Sequence, residues 1–291
     1  MAHNIISRTW TARESLVLSI YPIVAHLFLY GIHVSLFGVA IGITLARKRQ
    51  SSRRVHLIAL TFLFTVCTAS AVARLVFVGL NTSGTEYSNV IPVSVIIGLH
   101  CLANVIADAL LIHRCYHIWA PTRSVLYPPI FGLVANFGVG IAALIDWNIY
   151  WVFMFITLIE NMYLTAMTAG RIWYINRESK TMLGSKVHSR YQVIVASILE
   201  SGLLYPLVLI VTATSLAMPR VSFSQILMFN VMLNIQIQIV GIAQSLIIVR
   251  VGLGLDISNT IEGSIAELSD LEGAVPESNI PDRTSLHVTA V

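Results

Sequence analysis

Seven long apolar stretches, separated by short polar connections, are the feature of this sequence that most restricts its fold. They lie at residues 22–46, 55–80, 91–113, 125–145, 149–170, 191–217 and 222–249. Each has the ~20 residues with which an α-helix crosses ~30 Å of hydrocarbon. Strands of membrane barrels are about half that length and alternate apolar with polar residues, which these stretches do not. The sequence therefore predicts an all-α polytopic membrane protein with seven transmembrane helices.

The overall composition agrees with a chain that lies mostly in lipid. Of its 291 residues, 56% are hydrophobic and 11% are charged, and the mean hydropathy is +0.78. Soluble domains average ~45–50% apolar and ~25% charged residues, so a soluble fold would leave much apolar surface in water. The lipid bilayer is thus the first partner that the sequence predicts.

Lysine and arginine are concentrated in every second connection, and this pattern predicts the orientation. Cytoplasmic loops carry an excess of these cations. The first, third and fifth connections hold Arg47, Lys48, Arg49, Arg53, Arg54, Arg114, Arg123, Arg171, Arg177, Lys180, Lys186 and Arg190, whereas the opposite side has Arg8, Arg13 and Arg220. Seven crossings then place the N-terminus outside and the C-terminus in the cytoplasm. The net charge of +4 follows from this topology and does not indicate nucleic-acid binding.

The segments outside the apolar stretches complete the predicted organisation. Residues 1–21 are expected to form an extracellular N-terminal segment, and residues 22–249 form the bundle. Residues 250–291 are rich in acidic, serine and threonine residues, a composition typical of a disordered cytoplasmic tail. The sequon that begins at Asn81 lies in a connection that the charge pattern places outside, so Asn81 is a candidate N-glycosylation site.

Polar residues inside the apolar stretches are the main functional signal, because a charge at the bilayer centre costs ~2.5–3.5 kcal/mol. The third helix carries His100, Asn104 and Asp108 four residues apart, which places them on one face. The other candidates for an intramembrane polar site are Glu160, Glu200, Asn230, Asn234 and Gln238. Interhelical hydrogen bonding alone would explain the amides. The three carboxyl groups also suit a cavity whose protonation or ligand occupancy biases the sixth helix, near a kink expected at Pro206.

Basic and aromatic residues mark the predicted cytoplasmic ends of the third and fifth helices. Arg114 and Trp119 follow the third helix, and Arg171 and Trp173 follow the fifth, where we expect them to anchor the helix ends among lipid headgroups. Near the predicted outer end of the second helix, Arg74 is expected to extend its side chain to the headgroups.

Several enzymatic and cofactor-dependent functions disagree with the sequence. No lysine lies within the seven stretches, which excludes a retinal Schiff base in its usual form. A membrane zinc hydrolase needs convergent histidine and carboxylate ligands, yet the seventh stretch contains no histidine. A phosphate-binding glycine loop of the Walker type is also lacking. Neither an enzymatic activity nor a cofactor is therefore predicted.

Four segments of the chain resemble those of a known group of membrane proteins. These are residues 107–119, 168–174, 200–206 and 238–254. They are similar to the seven-helix membrane proteins that are numerous in mushroom-forming basidiomycete fungi. The residues in them with the clearest chemical character are Asp108, Arg114, Arg171, Trp173, Glu200 and Tyr205. The resemblance implies a plasma-membrane or endomembrane location and a receptor-like role, and it specifies no ligand.

Three functions fit these observations. A receptor-like signalling or sensing protein would bind a small-molecule or lipid ligand and contact a cytoplasmic signalling partner through its basic loops. A transporter or channel would use the same polar lining, and a scaffold would use it only to hold helices together. The topology matches that of G-protein-coupled receptors, but only Arg114 corresponds to the rhodopsin-like motif at the end of the third helix. Topology alone leaves the three functions open.

Overall fold

The computed structural model of this protein describes residues 11–46, 51–82, 90–119, 123–180, 202–215 and 222–273. In these ranges all regular structure is helical, so the predicted all-α class is confirmed. The α-helices are α1 (Ala12–Ala46), α2 (Ser51–Thr82), α3 (Val90–Ile118), α4 (Tyr127–Ile145), α5 (Tyr150–Lys180), α6 (Gly202–Ser215) and α7 (Phe223–Gly273). Short 3-10 helices at Arg123–Leu126 and Trp147–Ile149 precede α4 and α5.

Six helices in the described ranges are long and apolar enough to cross a membrane. These segments are Arg13–Ala46, Arg54–Leu80, Val93–Tyr116, Ser124–Ile145, Tyr150–Arg171 and Phe223–Arg250. By length and composition the chain is therefore consistent with a multi-pass membrane protein. The predicted sixth stretch, 191–217, is described only as the shorter apolar helix α6. The seventh crossing and the orientation of the termini remain predictions.

The first helix begins ten residues before the predicted boundary at residue 22, because a capping box starts it at Thr11. The backbone N–H of Glu14 donates to Thr11 Oγ1 at 3.3 Å, and Glu14 Oε2 accepts from the backbone N–H of Thr11 at 3.0 Å. This reciprocal pair satisfies two amide groups that a helix start leaves open. Much of the segment predicted to precede the bundle, residues 1–21, is thus continuous with α1, which runs through Pro22.

The last helix crosses a division of the chain into two compact units, residues 1–252 and 253–291. The first unit holds α1 to α6 and most of α7. In the second, residues 253–273 are helical and the remainder lies outside the described residues. The acidic tail predicted from residue 250 therefore begins within α7.

The interior of the first unit is formed mainly by α3 and α7. Of their apolar segments, 56% and 50% of the residues are buried, against 17% in α1 and 22% in α4. Around α3 pack α2, α4 and α5, with Leu110, Phe153, Leu209 and Ile237 in the core cluster. The inward faces of α3 and α7 are thus screened from lipid, and any polar group on them needs a partner within the protein.

A candidate functional site in a cavity and a buried polar network

A cavity of about 270 Å³ lies at the end of the bundle where α1 and α7 begin and α2 ends. We call it the end cavity. Its polar lining residues are Ser19, Arg74, His100, Tyr150, Asn230 and Asn234, and its nine other lining residues are apolar. Three of the residues predicted for a polar site, His100, Asn230 and Asn234, therefore share this cavity.

Arg74 is the charged group of the end cavity. Its side chain is only 8% exposed. The Nη1 group donates to Asn234 Oδ1, Nη2 donates to the carbonyl of Leu233 at 3.3 Å, and the buried Nε has no acceptor. No carboxylate among the described residues is paired with it. The expectation that Arg74 extends to lipid headgroups is wrong, because α7 supplies two oxygen acceptors on the inner side.

A second group of polar side chains extends from the end cavity into the bundle. Tyr150 Oη lies 3.0 Å from His100 Nδ1, and Tyr205 Oη lies 3.5 Å from His100 Nε2. The hydroxyl of Tyr205 donates its hydrogen to Asn104 Oδ1 at 2.7 Å. Asn104 in turn donates to the carbonyl of His100 at 3.0 Å. These contacts join α3 to the start of α5 and to α6.

The same group of side chains continues to α7 through Gln236. The hydroxyl of Tyr150 donates to Gln236 Oε1 at 3.2 Å, and Gln236 Nε2 donates to Thr212 Oγ1 at 3.0 Å. We call His100, Asn104, Tyr150, Tyr205, Thr212 and Gln236 the buried network, since each is at most 4% exposed. It connects α3, α5, α6 and α7, and two of its members, His100 and Tyr150, also line the end cavity.

The opposite side of α7 bonds to α1 and α2. His26 Nδ1 donates to the carbonyl of Asn234 at 2.7 Å, which leaves His26 Nε2 to accept from Gln238 Nε2 at 3.0 Å. The Gln238 amide also donates to the carbonyl of Cys67 at 3.1 Å. His33 Nδ1 donates to Gln238 Oε1 at 3.2 Å. These histidines serve as helix-to-helix hydrogen-bonding groups, and within the described residues no cluster of His, Cys, Asp or Glu could hold a metal.

The predicted polar stripe on α7 is thus divided between two sides of that helix. Two residues along an α-helix turn the side chain by about 200°, so Gln236 and Gln238 point in nearly opposite directions. Asn234 and Gln238 contact α1 and α2, whereas Gln236 contacts α5 and α6. Asn230 donates one amide hydrogen to the carbonyl of Ile226 at 3.0 Å and lines the end cavity.

Two of the three predicted carboxyl groups lie further along the bundle, away from the end cavity. Asp108 is fully buried. Its Oδ1 accepts from Asn161 Nδ2 at 3.2 Å, and its Oδ2 has no donor. Glu160 is 5% exposed, and neither of its oxygens accepts a hydrogen bond from the described residues. We call Asp108, Glu160 and Asn161 the carboxyl cluster, because Asn161 donates to Asp108 and directly follows Glu160 on α5.

At the end of the bundle opposite the end cavity, basic and aromatic residues pack against one another. The Arg171 guanidinium lies 5.0 Å from the ring centre of Trp119 and 5.4 Å from that of Tyr174. Arg171 therefore links the end of α3 to α5 through cation–π contacts. Trp173 is 58% exposed, and its role as an interfacial anchor stays a prediction. Arg114 is half-buried, and its buried Nη1 has no acceptor.

Two further predicted residues are not placed in detail. Glu200 lies outside the described residues. Asn81 lies in the last turn of α2, and its side chain is not among those described. A role for Glu200 in the polar site and glycosylation of Asn81 therefore stay predictions.

The sequence did not single out three features of the site: Arg74 as a cavity residue, Tyr150, and Tyr205 as a hydrogen-bonding group. It does show Gln236 as a further polar residue of the seventh stretch, displaced around the helix from Asn234 and Gln238. Tyr150 begins α5 and Tyr205 lies in a largely apolar helix, so each reads as an interfacial or packing aromatic. A usable signal for Gln236 was its amide in an otherwise apolar stretch, since such an amide needs a partner. That partner, Tyr150, is 86 residues away in the sequence.

Comparisons with known proteins place this chain in no family. No protein-family model, no curated protein and no solved structure matches it. The geometry of the end cavity, the buried network and the carboxyl cluster is therefore the basis for functional inference.

Proposed function

We propose that this chain is a receptor-like seven-helix membrane protein with its N-terminus outside, in which a ligand in the end cavity changes the packing of the deeper helices. One observation carries the proposal. His100 and Tyr150 line the end cavity and are also the first members of the buried network. A ligand that displaces either side chain would act directly on bonds that hold α6 and α7.

The energetic scale of these bonds suits a conformational switch. A hydrogen bond of this kind contributes ~0.5–1.5 kcal/mol, and a buried polar group without a partner costs ~1–3 kcal/mol. Rearranging two or three such bonds therefore supplies the few kcal/mol that separate two conformations of a switch. Tyr205 and Thr212 are the members of the buried network that lie on α6. We expect α6 to respond most.

A signalling partner that responds to the altered helix packing is proposed to bind on the membrane side that carries the basic connections. The sequence places most lysines and arginines there, which suits an acidic surface on a cytoplasmic signalling protein. The resemblance of four segments to fungal seven-helix membrane proteins with a receptor-like role supports the same proposal.

The test fills the end cavity with a defined covalent occupant. Ile97 lines the cavity and is 6% exposed. Ile97→Cys, in a chain whose three native cysteines are replaced by alanine, is modified with benzyl methanethiosulfonate in lipid nanodiscs. Amide hydrogen exchange is then measured for α6. We expect exchange there to change by several-fold, because the occupant displaces His100 or Tyr150.

The matched control carries the same adduct on the outside of the bundle. Phe131→Cys on α4 is suitable, because Phe131 is 76% exposed. Modification at this position is expected to leave exchange in α6 unchanged. If the adduct at Ile97→Cys alters exchange only in peptides that line the end cavity, the receptor-like proposal is wrong.

A transporter is the second candidate, and the carboxyl cluster is the observation that favours it. Buried carboxyl oxygens without donors are typical of proton paths in membrane proteins. Proteoliposomes loaded with a pH-sensitive dye would then show proton flux that Asp108→Asn and Glu160→Gln each reduce. A proton flux equal to that of protein-free liposomes would rule out the transporter function. Should both tests fail, the remaining function is a scaffold whose polar residues only join helices.

A further inference from the structure

We infer that the end cavity binds a small amphipathic monoanion, a carboxylate with a short aliphatic tail, and that Arg74 is its counter-charge. The inference rests on the proposed function, since it names the ligand class of that same cavity. Four properties of the cavity lead to it: its charge, its free hydrogen-bond donors, its apolar wall and its size.

The charge of the end cavity is positive and uncompensated. Arg74 is 8% exposed and is paired with no carboxylate among the described residues. Its acceptors, Asn234 Oδ1 and the carbonyl of Leu233, are neutral dipoles. Removing an ion from water costs several kcal/mol, and neutral partners offset this only in part. An anion in the cavity would supply the missing charge.

Free donors surround the place where such an anion would lie. Arginine has five N–H groups. Nη1 and Nη2 of Arg74 each commit one N–H group to α7, which leaves one N–H group on each for a ligand, whereas Nε is buried away from the cavity surface. Asn230 and Asn234 each commit one amide hydrogen to a backbone carbonyl, at 3.0 and 2.7 Å, and a primary amide has a second hydrogen. A planar guanidinium matches a carboxylate better than any other side chain, since it can donate two parallel hydrogen bonds.

The rest of the cavity sets the size and polarity of the ligand. Nine of its fifteen lining residues are apolar, among them Ile23, Phe77 and Ile97. Its volume is about 270 Å³. It lies just below the ~300–1,000 Å³ of typical ligand pockets. A ligand of about ten non-hydrogen atoms with a charged head and an apolar tail fits, whereas a two-chain lipid does not.

The experiment measures binding of octanoate, which has ten non-hydrogen atoms, to the full chain in lipid nanodiscs at neutral pH. Octan-1-ol and octylamine have the same tail with a neutral and a cationic head, and acetate has the head without the tail. Titration calorimetry is corrected with empty nanodiscs. We expect octanoate to bind saturably and at least about tenfold more tightly than the other three compounds. Only octanoate has both a carboxylate that can pair with Arg74 and a tail that can pack against the apolar wall.

Two variants locate the site. Arg74→Gln is expected to weaken octanoate binding by at least about tenfold and to remove its advantage over octan-1-ol. Arg13→Gln, at an exposed arginine of α1, is the control and should leave binding unchanged. If Arg74→Gln does not fold, Ile97→Trp replaces it, because a larger side chain in the wall should exclude octanoate.

The outcomes separate this inference from the proposed function. Equal binding of octanoate and octylamine, or binding that Arg74→Gln leaves intact, would overturn the anionic-ligand inference even if the covalent occupant changes exchange in α6. Conversely, Arg74-dependent octanoate binding without any change in α6 would uphold the ligand class and reject the receptor-like mechanism.

Discussion

The end cavity and the carboxyl cluster solve the same problem, a charged side chain among apolar helices, in different ways. Arg74 lies beside a cavity, and two of its N–H groups have acceptors on α7. Asp108 and Glu160 are not among the residues that line the end cavity, and three of their four oxygens have no donor within the described residues. The two regions carry opposite charge types, yet they do not pair with each other.

This separation has a functional meaning. If buried charges served only to hold helices together, pairing an arginine with a carboxylate would be the favourable arrangement. Instead the neutral tyrosine, histidine and amide groups of the buried network lie between them. We therefore interpret the end cavity as a binding site for an external anion. We interpret the buried network as the group of hydrogen bonds that couples anion binding to the packing of the other helices.

The largest expected effect comes from breaking the contact of α1 with α7, which supports one wall of the end cavity. A Cβ atom on Gly241 would overlap the imidazole of His33, so Gly241→Ala should destabilise the protein by about 1–3 kcal/mol. Unfolding is followed with a thiol-reactive dye, since Cys67, Cys101 and Cys115 are all buried. Gly138→Ala, where a Cβ meets open space, is the control and should be neutral or stabilising by up to ~1 kcal/mol.

The next effect tests the carboxyl cluster. Asn161→Leu removes the one donor to Asp108 among the described residues and should cost about 1–3 kcal/mol of stability. Replacing both partners, as Asn161→Leu with Asp108→Leu, should restore most of the loss, because the Asp108 carboxyl group that lost its donor is then removed as well. The same dye measures both melting temperatures. A double variant no more stable than the single one would show that Asp108 is satisfied from elsewhere.

A smaller effect is expected in the buried network. Tyr205→Phe removes the hydroxyl that donates to Asn104 at 2.7 Å and should cost about 1 kcal/mol. Tyr163→Phe is the matched control, since Tyr163 is 39% exposed. Equal melting temperatures of the two variants would mean that the hydroxyl of Tyr205 does not contribute to the network.

The smallest effect belongs to the end of the bundle opposite the end cavity. Arg171→Gln removes the cation over Trp119 and Tyr174 and should cost about 0.5–1 kcal/mol. Arg13→Gln, at an exposed position near the start of α1, serves as the reference. An Arg171 variant as stable as this reference would leave Arg171 only the predicted role of a lipid anchor.

The helical fold could be predicted from the sequence because a bilayer imposes one length scale and one polarity on every crossing. The spacing of His100, Asn104 and Asp108 similarly indicates one face of α3, and all three are buried. The predicted start of α1 at residue 22 followed the apolar stretch alone, whereas Thr11 and Glu14 have the spacing of a capping box, which the sequence does show.

The site itself could be predicted only in part. An arginine near a helix end can turn outward to lipid or inward to an acceptor. The choice at Arg74 depends on Asn234, which is 160 residues away. The division of the α7 stripe likewise depends on which helices pack on each side of Gln236 and Gln238. Such long-range partners are set by the packing of helices and have no signature in a single sequence.

The central claim is that the end cavity is accessible and attracts anions, whereas the carboxyl cluster is closed. Single cysteines report this directly, each without the native cysteines. Ile97→Cys lies in the wall of the end cavity and Ala107→Cys lies next to Asp108, outside that cavity, and the two positions are similarly buried, at 6% and 4% exposed. Their reaction rates with anionic and cationic methanethiosulfonate reagents are compared with those of a free thiol. We expect Ile97→Cys to react, with a several-fold preference for the anionic reagent because of Arg74, and Ala107→Cys to be inert. A preference for the cationic reagent at Ile97→Cys, or equal reactivity at the two positions, would contradict the account.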